Sequence, residues 1–321
     1  MIKMKNGKDS IIFNISLIDL PIAFGKHIAA ETINFANIAP KLYKSIMYKF
    51  GVTKSAVILV NGGSITLNDN EENFDLLNSE MVHPYLPVSI FKNRVILNEK
   101  AKRLEFYFDS KARLGNVLNV IEEVFVRKIY DTLDVNNRIV VDIGGNVGDT
   151  AIYFAMNGAK KVYVYEAVPK IFKILKKNVE TNGFRNKVVA YNEAGGKGKS
   201  IVISAEEERA GQLMASQKGI KIRMASLDKI TRRTGVTSGA VLKMDCEGAE
   251  YDLILNASTR TLHSYSQIMI EYHHGYKDLV KRLREEGFNV RYKRPIYMRE
   301  GGGKRPELMM GLIWANREQV E

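Results

Sequence analysis

Hydrophobic and polar positions alternate in a regular way from about residue 138 onward, where short apolar runs are separated by amphipathic stretches. This alternation is typical of βαβ units that build a parallel sheet. We predict five strands, with the sequences RIVVDI (138–143), KVYVYE (161–166), KVVAYN (187–192), GAVLKM (239–244) and QIMIEY (267–272). Helices are predicted at about 147–157, 169–183, 249–262 and 276–287. The pattern therefore predicts an α/β fold.

The C-terminal stretch departs from this pattern, because two strand-like segments follow each other directly. They are FNVRYKRPIYM (288–298) and ELMMGLIWAN (307–316), joined by REGGGKRP (299–306). Two successive strands after a run of βα units predict a terminal antiparallel hairpin. Nicotinamide-binding Rossmann domains do not usually close in this way.

The first 115 residues follow a different pattern. A helical stretch at about 22–50 precedes AVILVNGGSITLND (56–69), in which a Gly-Gly turn between two strands indicates a hairpin. Extended pieces lie around 87–108, and an amphipathic helix over 115–133 leads into the first core strand. We predict a smaller α+β domain over 1–115, which serves substrate binding or oligomerisation, and a catalytic domain over 116–321.

Composition and hydropathy argue against a membrane-spanning chain and against internal disulfide bonds. No apolar run reaches the ~18 residues that a membrane span needs. The nearest candidate, 11–24, is interrupted by Asn14, Asp19 and Pro21, so we expect it in a core or an interface rather than on a membrane surface. A single cysteine, Cys246, cannot form an internal disulfide, and we expect a cytoplasmic location.

The formal charge of +12 is unevenly distributed. Residues 1–100 hold 11 basic and 9 acidic side chains, so the remaining 221 residues carry +10. Such an excess suits nucleic acid, an acidic or phosphorylated substrate, or an anionic membrane face. A solvated lysine-rich surface explains it equally well.

The first predicted strand ends in a glycine-rich segment, DIGGNVGD (142–149), in which the three glycines allow a sharp turn and a close approach by a ligand. Dinucleotide sites require G-x-G-x-x-G directly after the strand, so that a pyrophosphate rests on the helix N-terminus. Here Asp142 stands two residues before the first glycine, and a third glycine is missing at the required spacing. A carboxylate suits a cationic amino acid better than a pyrophosphate, which favours S-adenosylmethionine (SAM).

Polar residues also end the second and third predicted strands. Glu166 lies 24 residues after Asp142, near the ~20-residue interval at which a ribose-binding acid is expected. Its carboxylate can accept hydrogen bonds from both ribose hydroxyls. Asn192 and Glu193 stand where an adenine amino group would be met, although an asparagine is equally common in turns.

The fourth and fifth predicted strands lead into KMDCEGAE (243–250) and IEYHHGY (270–276). Ligands of open parallel sheets bind at the carboxyl ends of the strands, so Asp245 and Glu247 are expected beside the transferred methyl group. Glu271 and His273 are expected on the same edge, and His273 supplies a general base for alcohol methylation. These four residues are the predicted catalytic set. They offer ligands for a divalent metal as well, but we expect hydrogen-bonded pairs that shape a pocket, and no metal.

These segments together resemble the FkbM-like family of class I SAM-dependent methyltransferases over about residues 120–290. The resemblance rests on VVDIGGNVGDTAIYFA, VYVYEAVP, ILKKNVETNG, SLDKI, LKMDCEGAEYDLIL, IMIEYHHGY and LREEGF, in that order. It implies a Rossmann-like sheet of seven strands with the last antiparallel, and transfer of the SAM methyl group, usually to oxygen. Two departures are Ala167, where the family often has proline, and a charged insert around 195–222.

The resemblance also implies roles for individual residues. By position Asp142, Gly144, Asn146, Glu166 and Asp245 are similar to cofactor contacts, and Glu247, Glu271 and His273 to pocket residues. The full set that we predict to bind the cofactor is Asp142, Gly144, Gly145, Asn146, Gly148, Thr150, Glu166, Ala167, Asn192, Glu193 and Asp245.

Three functions fit these features. The first is methylation of a hydroxyl on a sugar, glycan, lipid or other small metabolite, by a chain that forms a homo-oligomer through its N-terminal domain. The second is methylation of RNA or DNA, for which the basic tail over 291–305 would grip phosphate. It is less favoured, because the Asn/Asp-Pro-Pro-aromatic signature of base amino methylation is absent after the fourth strand. The third is a SAM-binding assembly module without catalysis.

Overall fold

A computed structural model describes residues 2–6, 9–13, 55–60, 63–68, 88–91, 93–100, 102–109, 111–204, 218–298 and 308–317. The predicted helix at 22–50 lies outside these residues. Near the N-terminus β1 (Ile2–Asn6) pairs antiparallel with β2 (Asp9–Phe13). The predicted hairpin is present as a two-stranded sheet of β3 (Ser55–Val60) and β4 (Gly63–Asn68).

The chain divides into two compact units. One contains Met1–Leu59 and Ser64–Tyr85, and the other contains Val60–Gly63 and Leu86–Glu321. The predicted domain boundary at 115/116 stays a prediction.

The larger unit begins with a small antiparallel sheet and a helix. The sheet consists of β5 (Val88–Phe91), β6 (Arg94–Glu99) and β7 (Lys102–Tyr107). Helix α1 (Lys111–Ile121) continues into a π-helical turn over Glu122–Val126. The helix that we predicted over 115–133 therefore begins earlier and ends sooner. A π turn inserts an extra residue into the helical ladder and often marks a functional site.

The main sheet confirms the predicted α/β fold. Its parallel strands are β8 (Ile139–Ile143), β9 (Lys161–Tyr165), β10 (Val188–Tyr191), β14 (Ala240–Met244) and β15 (Tyr265–Tyr272). The terminal strands are β16 (Asn289–Tyr292), β17 (Ile296–Met298) and β18 (Leu308–Asn316). Their order is β10-β9-β8-β14-β15-β18-β16, with β17 attached to β18.

Strand β18 runs antiparallel to both of its neighbours in this sheet. The seven-stranded sheet with an antiparallel last strand is thus confirmed. The strand order reverses between β8 and β14, which are hydrogen-bonded neighbours. The crevice at this reversal is where open α/β sheets bind ligands.

The helices also follow the sequence pattern, with one correction. They are α2 (Asp149–Met156), α3 (Pro169–Thr181), α4 (Leu227–Thr234), α5 (Glu250–Leu255), α6 (Thr259–His263) and α7 (Lys277–Glu285). The single helix predicted over 249–262 is two short helices. The break occurs because Ser258 caps α6, its side chain accepting a hydrogen bond from the Thr261 amide.

The predicted insert around 195–222 contains further strands that the pattern did not reveal. They are β11 (Ala194–Gly195), β12 (Ser200–Ile203) and β13 (Ile220–Ala225), which form a three-stranded sheet. Residues 205–217 lie outside the described part of the chain. The strand β13 leads directly into α4.

Buried apolar side chains fill both sides of the main sheet. The strand β14 is buried at all five positions, and these include the charged side chain of Lys243. In the parallel register Lys243 stands opposite Asp142 of β8. A buried lysine needs such a partner, because an uncompensated charge in a protein core is strongly unfavourable.

Candidate active site

The turn between β8 and α2 brings the backbone of two strand ends into close contact. Gly144 has φ of +87°, and a Cβ at this position would lie 1.6 Å from the carbonyl oxygen of Asp245. The amides of Gly144 and Gly145 both donate to the carbonyl of Tyr165, at 2.9 and 3.0 Å. A Cβ on Gly145 would lie 2.1 Å from the side chain of Val164. Glycine is therefore required at both positions.

A pocket of about 140 Å³ opens at the carboxyl ends of β8, β9, β10 and β14. The predicted site residues on its wall are Gly144, Asn146, Glu166, Ala167, Glu193, Asp245 and Glu247. The remaining lining residues are Asn116, Ile143, Tyr165, Val168, Ile171, Ala194, Gly195 and Cys246. Within the described part of the chain, four acidic residues and no lysine or arginine line this pocket.

Glu166 is held rigidly at the end of β9. Its Oε2 accepts a hydrogen bond from the Asn146 amide at 3.0 Å, and its Oε1 accepts one from the Val168 amide at 2.7 Å. The side chain of Asn146 in turn donates to Oδ1 of Asn116 in α1, at 3.1 Å. The carboxylate is therefore oriented towards the pocket before any ligand binds.

Asp142 is buried and does not line the pocket, and its predicted role as a cofactor contact stays a prediction. It is fully buried, its Oδ1 is 3.1 Å from Lys243 Nζ, and its Oδ2 accepts a hydrogen bond from the Thr150 hydroxyl at 2.6 Å. Lys243 Nζ also donates to the carbonyl of Gly144 at 2.8 Å. Asp142 and Thr150 are therefore connected to the turn between β8 and α2 through Lys243, which binds the carbonyl of Gly144. Gly145 and Gly148 are likewise absent from the pocket wall.

The two polar residues that follow β10 differ in position, since only the second of them lines the pocket. Asn192 does not line the pocket, and its side-chain amide donates to the carbonyls of Glu166 and Ala167 at 2.9 and 2.8 Å. Glu193 does line it, and it receives two hydrogen bonds from Arg233, at 2.6 and 3.3 Å. The ion pair with Arg233 compensates the negative charge of Glu193 and fixes its carboxylate in the pocket wall.

Asp245 and Glu247, two of the predicted catalytic residues, face a third, His273. Glu271, the fourth, interacts electrostatically with Asp245 and His273. We call these four residues together with Glu250 the acidic edge. His273 is only 2% exposed and donates from Nδ1 to Glu250 Oε1 at 3.2 Å. Its Nε2 is 3.7 Å from Asp245 Oδ1 and 3.7 Å from Glu247 Oε2. Glu250 is the first residue of α5, is fully buried and also accepts a hydrogen bond from the Cys246 amide at 2.7 Å.

The acidic edge shifts the pKa values of its members. Burial opposes the charged form of His273, but its hydrogen bond to Glu250 and the nearby carboxylates raise its pKa to about 9. Burial raises the pKa of Glu271 to about 8, and Asp245 and Glu123 add to this shift. Burial also raises the pKa of Asp245. The raised pKa favours the protonated form of His273 at neutral pH, and its role as a general base stays a prediction.

Three residues at or near the site, Lys243, Asn116 and Glu123, were not predicted from the sequence. Lys243 had a signal, since it is a lone charge in an apolar strand. Asn116 and Glu123 had none, because they belong to α1 and to the π turn, far from the strand ends along the chain. Only the packing of these segments shows that Asn116 lines the pocket and that Glu123 influences Glu271.

No helix in the described part of the chain is long and apolar enough to cross a membrane.

Two curated proteins are similar to parts of this chain. A protein arginine N-methyltransferase 1 of Oryza sativa subsp. indica is 31% identical over 88 residues, which cover 26% of this chain and 22% of the relative. The uncharacterized protein 158B of Sulfolobus islandicus rod-shaped virus 1 is 38% identical over 50 residues, or 16% of this chain and 32% of the relative. The chain therefore spans about a fifth to a third of the length of these curated relatives.

Among solved structures, a SAM-dependent methyltransferase from Agrobacterium tumefaciens is similar with 12% identity and a TM-score of 0.40. The match covers 84% of this chain and 78% of that one. The METTL16 methyltransferase domain is similar with 16% identity and a TM-score of 0.39, over 89% and 92% of the two chains. The model of the methyltransferase FkbM domain matches residues 142–290. This segment, slightly less than half of the chain, is therefore similar to the FkbM domain of methyltransferases.

Proposed function

We propose that this chain methylates a hydroxyl oxygen of a sugar, glycan, lipid or other small metabolite, with SAM bound in the pocket at the sheet reversal. The observation that carries the proposal is the position of the acidic edge. Asp245 and Glu247 line the donor pocket and also face His273, so one continuous surface joins the pocket to buried carboxylates. This surface offers proton acceptors next to the transferred group.

The chemistry of the pocket fits SAM. Glu166 lines the pocket, and two backbone hydrogen bonds orient its carboxylate, which is a suitable acceptor for the hydroxyls of a ribose. The acidic lining without lysine or arginine among the described residues suits a cationic ligand and disfavours a pyrophosphate. When bound, SAM supplies an electrophilic methyl group on a positively charged sulfur.

The residues of the chain then have three tasks. Glu166 and the glycine turn bind and orient the donor, which is mainly a proximity effect. Asp245 and Glu247 orient the acceptor hydroxyl at the mouth of the pocket. A carboxylate of this edge receives the hydroxyl proton, and Asp245 and Glu247 are our candidates because both line the pocket. Protonated His273 holds Asp245 and Glu247 in place.

The test is methyl transfer from radiolabelled SAM to a panel of hydroxylated metabolites and glycans, with RNA and arginine-containing peptides in parallel. We expect label in hydroxylated acceptors, and we expect mass spectrometry with NMR to place the new methyl group on oxygen. A Glu166→Gln variant is the control, since it impairs the donor site and should abolish the signal. Label only in RNA or in peptides would overturn the proposal.

Two outcomes separate the other functions. Transfer to RNA that weakens steeply with salt would support the nucleic-acid function, because phosphate contacts release counterions. Binding of S-adenosylhomocysteine without transfer to any acceptor would support an assembly module. In that case the oligomeric state of the chain would be the next quantity to measure.

A further inference from the structure

Helix α4, all of which lies in the described part of the chain, contributes no residue to the wall of the donor pocket. One of its side chains nevertheless holds a residue of that wall. Arg233, in the last turn of α4, donates to both carboxylate oxygens of Glu193, at 2.6 Å to Oε2 and 3.3 Å to Oε1. The Glu193 side chain is only 4% exposed. A two-pronged pair of this kind fixes the plane of the carboxylate as well as its position.

Arg233 is itself firmly placed. The helix that carries it is capped at its start by the side chain of Ser226 and ends at Gly235, which has φ of +68°. The guanidinium lies over the ring of Tyr191, 4.9 Å from its centroid. Tyr191 in turn stacks on Tyr165, which lines the pocket. The pair of Arg233 and Glu193 is therefore built into the packing behind this part of the wall.

A second arginine lies near the same carboxylate but does not hold it. Arg223 Nε is 3.7 Å from Glu193 Oε1, which is too long for a hydrogen bond, and the Arg223 side chain is 78% exposed. Exposed ion pairs at such distances contribute little. The orientation of the Glu193 carboxylate therefore depends on Arg233.

The remaining acceptor positions of Glu193 determine what this part of the wall recognises. A carboxylate has about four such positions, and Arg233 occupies two of them. An ionised carboxylate accepts hydrogen bonds and donates none, so it fits an amino group and repels a carbonyl oxygen. We propose that Arg233 is a positioning residue that makes the donor site selective for adenine, because it holds Glu193 as the acceptor for the exocyclic amino group. This inference rests on the proposed function in one respect, that the pocket is the site of SAM.

Replacing Arg233 with methionine leaves the Glu193 carboxylate nearly buried and without its partner charge. Such a carboxylate turns towards solvent or takes up a proton, because an uncompensated buried charge is unfavourable. In either state the amino group of adenine loses its acceptor, whereas Glu166 and the glycine turn keep their own contacts. A general loss of pocket structure would instead weaken the binding of every ligand alike.

The experiment compares two ligands that differ at one position of the purine ring. They are S-adenosylhomocysteine and S-inosylhomocysteine, in which an oxygen replaces the exocyclic amino group. Calorimetric titration of the full chain gives the Kd of each. We expect the parent to bind S-adenosylhomocysteine at least about tenfold more tightly, because a hydrogen bond to a charged acceptor is worth this factor or more. In Arg233→Met this preference should fall by about tenfold, mainly through weaker binding of S-adenosylhomocysteine.

Arg232→Met is the matched control. It removes the same charge from the neighbouring, exposed position of α4, and it should keep the preference of the parent. If Arg233→Met does not fold, Arg233→Lys decides the matter, because lysine keeps the charge but offers a single ammonium group in place of the fork. Its preference should fall by at least about threefold.

The role of Arg233 and the proposed function can fail separately. Equal weakening of both ligands in the Arg233 variants, an unchanged preference, or an equal loss in Arg232→Met would overturn the role of Arg233. A parent chain that binds both ligands equally would overturn it as well. A preference that depends on Arg233, in a chain that methylates no hydroxyl, supports this role and refutes the function. Hydroxyl methylation by a chain whose Arg233 variants keep the preference refutes the role and leaves the function standing.

Discussion

The buried ion pair of Lys243 and Asp142 lies behind the wall of the donor pocket. We predict that this pair contributes to the free energy of unfolding of the chain. Lys243 is 2% exposed and Asp142 is not exposed, and their charged atoms are 3.1 Å apart. Burial lowers the pKa of Lys243, but Asp142 foremost, with other nearby groups, outweighs this and leaves it well above the usual value. Replacing Lys243 with methionine keeps the shape of the side chain and leaves Asp142 charged in the core.

Breaking a buried pair in this way costs about 3–5 kcal/mol, because the remaining charge has lost its partner. For a domain of this size the loss corresponds to a decrease of about 6–20 °C in Tm. The double variant Asp142→Asn/Lys243→Met removes both charges and should recover most of the loss. We therefore expect a coupling free energy of about 2 kcal/mol or more between the two positions.

Urea unfolding of the parent, the two single variants and the double variant measures this coupling. Calorimetric titration with S-adenosylhomocysteine, well below the lowest Tm, checks the donor site separately. The double variant should bind this ligand nearly as well as the parent, because Asp142 lies behind the pocket wall. Additive losses of stability, or a double variant that is stable but cannot bind the ligand, would refute the reasoning and return Asp142 to the cofactor contacts.

Three further predictions concern single positions. Glu166→Gln should weaken S-adenosylhomocysteine binding by about 1.5–3 kcal/mol, roughly 10- to 150-fold in Kd, because a charged acceptor is lost; calorimetry that shows unchanged affinity would contradict this. Gly144→Ala should yield no cooperatively folded protein by circular dichroism, since its Cβ would lie 1.6 Å from a carbonyl oxygen. Asp149→Asn should stabilise the chain at pH 8 but hardly at pH 4. Burial raises the Asp149 pKa from 3.8 to about 7, so the parent loses stability as the pH rises through that window; a pH-independent Tm difference would exclude this.

The ends of the five parallel strands were predictable to within one residue, except that β15 begins two residues earlier than expected. Each of these strands is a short run of apolar residues bounded by polar ones. The polar residues at the strand ends could therefore be assigned to one edge of the sheet. The pocket wall contains Glu166, Glu193 and Asp245, which were assigned to that edge. This part of the prediction needed only the rule that parallel strands end on the same side.

The roles of residues within the strands could not be read in the same way. Asp142 begins the glycine-rich segment and Thr150 follows it directly, yet both side chains are buried. Asn192 stands at a strand end and binds backbone carbonyls. Alternation along a strand shows which positions share a face, but it does not show whether that face meets a ligand or another element of the fold.

The sequence by itself determined the α/β class, the positions of the strands and the acidic character of the ligand edge, because these depend on local periodicity and on the order of elements. Only the tertiary structure decided which acids meet which partners. It joined Asp142 to Lys243, brought Glu250 to His273, and placed Asn116 against the pocket. These contacts join residues between 23 and 101 positions apart, so charge and burial act on them only once the chain has folded.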